Sequence, residues 1–231
     1  MSVDLVHSLA YDRMVANAAR VVAGKAKPVP SDCAPLDDDD IRLINYMMEH
    51  RHGTPFEHNY FQFRVRVPIF AQRDWMRHRV GHSFNEISTR WQDMSETGVY
   101  EPECMRIQVG KTHEYLYEDF DELHASVDEK IGHWCRRQWL IQRQKSSVRT
   151  YKRMLKKGFA REQAMAVLPM GTYTEFIWSC NARSLMHFLG LRNKPNARRE
   201  IQETCKALEL HFADKMPITY SAWVKNGRVA P

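Results

Sequence analysis

Between Tyr60 and Val67 the apolar residues Phe61, Phe63, Val65 and Val67 alternate with Gln62, Arg64 and Arg66. Only an extended strand with one face buried and the other wet satisfies that period of two. Pro68 follows at once, so the strand stops there and a short helix, IFAQRDWMRHR (69–79), is expected behind it. On the N-terminal side HSLAYDRMVANAARVV (7–22) reads as a first helix, ended by Gly24 and the pair Pro28 and Pro30. A second helix starts behind Asp37–Asp40, whose carboxylates oppose the macrodipole as a solvated cap. The segment 113–159 reads as mostly helical with a break near Ser146 and Ser147, and AREQAMAVL (160–168) as a short helix stopped by Pro169. TYTEFIWSC (172–180) is rich in β-branched and aromatic residues and reads as a strand, followed by a helix that Asn181 caps. A last helix, NARREIQETCKALELHFADKM (196–216), is expected to complete the chain. Strands interleaved unevenly with long helices predict an α+β fold, helices around a largely antiparallel sheet, in a single domain spanning 1–231.

Composition narrows the function classes. A chain of 231 residues with 43% hydrophobic and 27% charged residues buries a core without staples. Its five cysteines, Cys33, Cys104, Cys135, Cys180 and Cys205, are scattered and form no C-x-x-C pair, which argues against a disulfide framework or a zinc ribbon. No apolar run approaches the roughly 20 residues of a membrane span, and the first residues lack a signal-peptide pattern. A soluble, cytoplasmic protein with no membrane partner is the expectation. The formal charge of +6 suggests an anionic partner, which leaves nucleic acid, a phosphate-bearing metabolite or an anionic cofactor open.

The densest polar constellation is RHRVGHSFNEISTRW (77–91). If residues 86–90 are extended, Glu86, Ser88 and Arg90 project from one side and offer an acceptor, a hydroxyl and a forked cation together. Arg77, His78 and Arg79, placed at the end of a helix, leave its axis about 100° apart and so bridge two ligands or two subunits, or else simply complement the helix C-terminus. In NARSLMHFLGLR (181–192) the residues Leu185, Phe188 and Leu189 make an apolar stripe on which Arg192 also falls. A guanidinium there needs an acceptor, which a planar ligand with carbonyl oxygens supplies; the alternative is that it snorkels to water. Arg183 and His187 share a neighbouring helical face. His50, His52, Glu57 and His58 match no compact zinc pattern, so hydrogen bonding or cofactor contact is expected there and no metal. No G-x-G-x-x-G, Walker or G-x-S-x-G sequence occurs. A nucleotide cofactor therefore has to be held by side chains, and Ser88 suits a ligand contact better than a hydrolytic nucleophile.

Taken together, RHR…S-F-N-E-x-S-x-R, the upstream TPFEH and the downstream NARSL…F-L-x-L-R resemble the flavin-dependent thymidylate synthases, over about Ala18 to Arg192. The resemblance implies that family's fold and a homotetramer with active sites built between subunits. It implies FAD as cofactor, a uridine monophosphate as substrate, methylenetetrahydrofolate as carbon donor and NADPH as reductant. By matching positions it implies flavin contacts at His52, Arg77, His78, Arg79, Asn181, Arg183 and His187. Nucleotide contacts fall at Glu86, Ser88, Arg90 and Arg192, with Ser88 and Arg192 as the catalytic pair and Arg192 polarising the uracil. No cysteine is required, and the protein's share is positioning and electrostatic polarisation.

This sequence departs from the family pattern at several places. Eight residues, Val80–Ile87, separate Arg79 from Ser88, one more than is usual, so the chain must bulge around Gly81 and His82. The family's A-R-x-x-L-P is Ala164-Met165-Ala166-Val167-Leu168-Pro169, and Met165 cannot replace a phosphate-binding cation. Trp91 stands where tyrosine is common, and Val22 where serine is frequent near the flavin. These changes touch ligand contacts, which raises UMP as an alternative to dUMP, as in the branch of the family that serves nucleoside antibiotic synthesis. Two further alternatives are a basic nucleic-acid-binding protein, which predicts steep salt dependence and no chromophore, and a flavoprotein that only oxidises NADPH. The basic residues lack a long stripe with interleaved aromatics, which argues against a nucleic-acid partner.

Overall fold

Strand β1 (Ser2–Leu9) opens the chain, where the sequence pattern suggested a helix from His7 onward. It pairs antiparallel with β2 (Tyr60–Pro68), and the register shifts between Leu5 and His7. That irregularity breaks the alternation on which a period-two reading depends, so the strand is hidden in the sequence. Helix α1 is accordingly short, Asp12–Val21. The computed structural model from which this fold is taken describes residues 1–25, 36–103, 105–108, 115–117 and 126–231. Pro28, Pro30, Cys33 and Cys104 fall outside them.

Helix α2 (Asp38–Glu49) begins as expected behind the acidic run. Asp37 accepts from the Asp40 amide at 2.8 Å and Asp40 from the Asp37 amide at 3.3 Å, a reciprocal capping box. The run is not uniformly solvated, however. Asp40 is fully buried and paired with Arg13 at 3.4 Å and with Arg20, which ties α2 to α1.

Helix α3 (Ile69–Trp75) ends before the Arg-His-Arg triplet, which lies in a turn and irregular backbone and not at a helix C-terminus. The reason is packing. Trp75 is fully buried, its ring centroid 4.6 Å from that of Trp178 and 4.4 Å from that of Phe188, and beyond it the chain must reverse into β3 (His82–Glu86). Gly81, at φ +70°, supplies that reversal.

The short strands β4 (Arg106–Gln108) and β5 (Tyr115–Tyr117) pair antiparallel, so 115–117 is extended and not helical. Helix α4 (Val127–Lys156) runs unbroken through Ser146 and Ser147, since a serine costs a helix only tenths of a kcal/mol, about 0.5. The Ser146 carbonyl accepts a bond from Thr150 Oγ1 at 3.2 Å. After α5 (Arg161–Ala164) and one 3-10 turn comes β6 (Tyr173–Cys180), then α6 (Ala182–Arg192) and α7 (Arg199–Lys215). The chain does not finish there: Pro217 starts α8 (Pro217–Lys225), whose first amides, Ile218 and Thr219, donate to the buried Asp12 carboxylate at 2.9 and 2.8 Å.

The sheet order is β1-β2-β6-β3, with β3 antiparallel to β6, so the α+β fold with an antiparallel sheet is what the chain adopts. The described residues group into two compact units. The first comprises Met1–Arg66, Arg73–Glu86 and Glu175–Pro231. Its core joins Phe61, Phe63 and Val65 of β2 with Phe176 and Trp178 of β6, Leu185 and Phe188 of α6, Leu208 and Phe212 of α7, and Trp223 of α8. The second comprises Val67–Gln72 and Ile87–Thr174, with Met94, Tyr151 and Ala164 buried beneath Ile87, Met154, Leu155, Val167 and Leu168.

Candidate functional site

Within the first unit the turn before β3 faces the N-terminus of α6. The backbone at Gly81 approaches so closely that a Cβ there would lie 2.3 Å from Ser184 Oγ and 3.0 Å from Asn181 Nδ2. Asn181 caps α6 as its sequence position predicts, accepting from the Ser184 amide at 2.8 Å, while Ser184 Oγ donates to the Val80 carbonyl at 2.9 Å. These short contacts fix one wall of a cavity of about 500 Å³ lined by Glu57, Gly81, Asn181, Arg183, Ser184 and His187, with Ala230 and Pro231 at its edge. Arg183 and His187 both reach it, as their spacing on one helical face requires. Arg183 lies against Gly53, where a Cβ would come within 2.5 Å of its guanidinium; it donates to the Pro231 carbonyl oxygen at 2.7 Å and pairs with Glu57.

The remaining flavin candidates divide by exposure. His52 is exposed just past α2, with its ring 6.2 Å from Tyr46 and nearly parallel to it. Arg77 and Arg79 are exposed, whereas His78 between them is buried at 7% exposure. Its Nε2 accepts from Arg192 Nε at 3.0 Å. Arg192 therefore neither snorkels nor stands alone on its stripe: its NH2 group also donates to the Asp74 carbonyl at 3.1 Å. Around His78 stand His82 and His187, each with its ring centroid 5.7 Å away. Burial, then the charge of Arg192 and the neighbouring imidazoles, lowers the His78 pKa to about 4. His82 is likewise lowered to about 4, mainly by burial and then by His187, and its Nδ1 accepts from Trp178 Nε1 at 2.9 Å. Sequence reasoning passed over Ser184, Trp178 and the segment at Ala230 and Pro231. The only sequence signal for them is proximity to Asn181 in the first case; the other two are reached through the fold.

Glu86 is the last residue of β3 and exposed. The strand does not continue to Arg90, so the expected one-sided row of Glu86, Ser88 and Arg90 is not formed. Instead the Ser88 carbonyl accepts from the Trp91 and Gln92 amides at 3.1 and 2.9 Å, and Ser88 Oγ accepts from the Arg90 amide at 3.3 Å. A serine that bonds its own backbone closes a turn in place of an extended run. In this second unit Arg90 Nε donates to Glu162 Oε2 at 2.8 Å, and Met165 Sδ receives the Thr89 hydroxyl at 3.2 Å.

Among the described residues no group of three or more His, Cys, Asp or Glu is placed to hold a metal, and no helix is long and apolar enough to cross a membrane. Burial raises the Cys180 and Cys205 thiols, which makes both poor nucleophiles at neutral pH. The cavity suits an anionic heterocycle: Arg183 supplies a cation, His187 and Ser184 supply hydrogen-bonding groups, and the bare backbone at Gly81 lets Ser184 and Asn181 pack close in its wall.

Fold and cavity together define an α+β protein with a cavity lined by side chains at a helix N-terminus, in a sequence without a glycine-rich phosphate loop. The family model described as thymidylate synthase complementing protein matches residues 4–218. The flavin-dependent thymidylate synthase of Streptomyces coelicolor is 40% identical, over all of this chain and 94% of its own length. That of Thermosipho africanus is also 40% identical, over 96% of this chain and 90% of its own length. The crystal structure of the UMP/dUMP methylase PolB from Streptomyces cacaoi, bound with 5-Br UMP, superposes with a TM-score of 0.79 at 37% identity, covering 100% of this chain and 96% of the other. The chain belongs to the flavin-dependent thymidylate synthase family.

Proposed function

We propose that this protein methylates a uridine monophosphate at C5, converting dUMP to dTMP, with FAD as cofactor, methylenetetrahydrofolate as carbon donor and NADPH as reductant. Family membership and the names of its relatives support the reaction. The observation that carries it is the cavity at the N-terminus of α6, where Asn181, Arg183 and His187 converge with the Gly81 turn. There Asn181, Arg183 and His187, with His52, Arg77 and Arg79, hold the flavin, which when bound supplies the hydride. Glu86, Ser88, Arg90 and Arg192 bind the nucleotide, and Arg192 stabilises the charge that develops on the uracil as C5 becomes nucleophilic. The active enzyme is a homotetramer of this single-domain chain that shares residues between subunits.

Arg90 and Arg183 already hold carboxylate partners, Glu162 and Glu57. Both pairs are substantially exposed and screened by water, so an anionic ligand displaces either at little cost. A second reading, UMP as the preferred substrate, is supported by the likeness to the UMP/dUMP methylase PolB, whose structures are bound with 5-Br UMP and with 5-Br dUMP. Product analysis by mass spectrometry, with dUMP and UMP given in parallel alongside FAD, NADPH and methylenetetrahydrofolate, tests both. Preferential methylation of dUMP supports the first reading and of UMP the second, and no methylated nucleotide from either refutes the proposed reaction.

A further inference from the structure

We infer that His78 is a positioning residue that aims the guanidinium of Arg192, acting through Nε2 as a neutral acceptor. The inference rests on the reading of Arg192 as a nucleotide contact, and it gives His78 a role different from the flavin contact that family resemblance implies.

A guanidinium only donates, so a ring nitrogen that receives Arg192 Nε–H at 3.0 Å carries no proton of its own. His78 is therefore neutral, with its proton on Nδ1. Together with the bond from the NH2 group to the Asp74 carbonyl at 3.1 Å, this holds the arginine at two points. Asp74 is itself anchored, because its carboxylate accepts from Arg198 Nε at 2.8 Å. The imidazole cannot swing away: it is buried, and the Phe188 ring packs edge-on with its centroid at 4.9 Å.

The groups facing His78 all favour the neutral state. Arg192 and His187 come from α6, His82 from β3 and Arg77 from the adjoining turn, and each raises the cost of a positive charge on the ring. The Asp74 carboxylate, an anion that would favour an imidazolium, is paired with Arg198 instead. A protonated His78 would both lose its acceptor and repel the arginine it holds. An arginine whose charge is misplaced loses much of its value to a developing anion, since a displacement of about 1 Å costs on the order of a hundredfold in rate.

The test pairs His78→Leu, which removes the acceptor, with His78→Gln, whose amide oxygen reaches the position of Nε2. The first readout needs no substrate: the Arg192 Nε–H resonance in nitrogen-15 NMR, assigned by its loss in Arg192→Lys. It should be protected from exchange in the native protein and in His78→Gln, lost in His78→Leu, and lost in the native protein only as the pH approaches about 4. The second is turnover: kcat should fall about a hundredfold in His78→Leu and recover to within about tenfold in His78→Gln, with flavin content unchanged in both. An unaltered Arg192 resonance in His78→Leu overturns the inference, as does loss of flavin from both variants. Should His78→Leu fail to fold, the resonance in His78→Gln decides alone, retention supporting the inference and loss overturning it. If the native enzyme methylates neither nucleotide, the proposed reaction fails while the NMR result still stands for or against His78.

Discussion

Asp40→Ala should be among the most damaging substitutions in this protein, although it lies in a run of four aspartates at a helix start. The Asp40 side chain is fully buried, and the two arginines it pairs with, Arg13 and Arg20, expose only 15% and 13% of their side chains. Removing the carboxylate leaves two guanidinium groups, nearly desolvated, without their shared anion. Breaking a buried pair in this way costs about 3–5 kcal/mol, and losing one arm of the capping box adds about 0.5–1. Against a total stability of about 5–15 kcal/mol, that is enough to bring the chain near its unfolding threshold. The neighbour Asp39 is the control. Its pair with Arg42 is exposed on both sides, 69% and 73%, and Asp39→Ala should shift stability by less than about 0.5 kcal/mol. Urea denaturation followed by tryptophan fluorescence measures both, since Trp75, Trp178 and Trp223 are fully buried reporters. Adding Arg20→Met to Asp40→Ala should restore part of the loss, because it removes one of the stranded charges. A loss below about 1 kcal/mol in Asp40→Ala would refute the reasoning, since it would mean that the arginines find water or another acceptor.

Other outcomes follow from the site. Arg192→Ala should abolish methylation while the purified protein stays yellow, and a colourless protein would contradict its assignment to the nucleotide. Arg79→Ala should lose the flavin absorbance, and full occupancy would count against a cofactor role there. Gly81→Ala should destabilise by about 1–2 kcal/mol or more, from the positive φ and the collision with Ser184, visible as a lowered thermal midpoint. Both His78 and His82 have pKa values lowered from 6.5 to about 4, so the unfolded chain binds more protons between those values. Stability should therefore rise with pH from about 4 to about 6.5 and lose that dependence above it, in thermal scans across a pH series.

The sequence by itself determined the pieces that depend on local rules. The alternation in Phe61–Val67 fixed β2, Asn181 fixed the start of α6, and the spacing of Arg183 and His187 put them on one face, because strand period, helix period and capping are properties of a few neighbouring residues. It also carried the family, through motifs whose residues recur at set intervals. What it could not determine was anything that a distant partner decides. A register shift against β2 hid β1, and the burial of Trp75 ended α3 before the Arg-His-Arg triplet. Ser88 closed a turn onto its own backbone where an extended row was expected. Above all, the acceptor for Arg192 came from His78, 114 residues earlier in the chain. Tertiary structure chose that partner because a half-buried guanidinium must find an acceptor in three dimensions, and no periodicity along the chain encodes which residue will be waiting there.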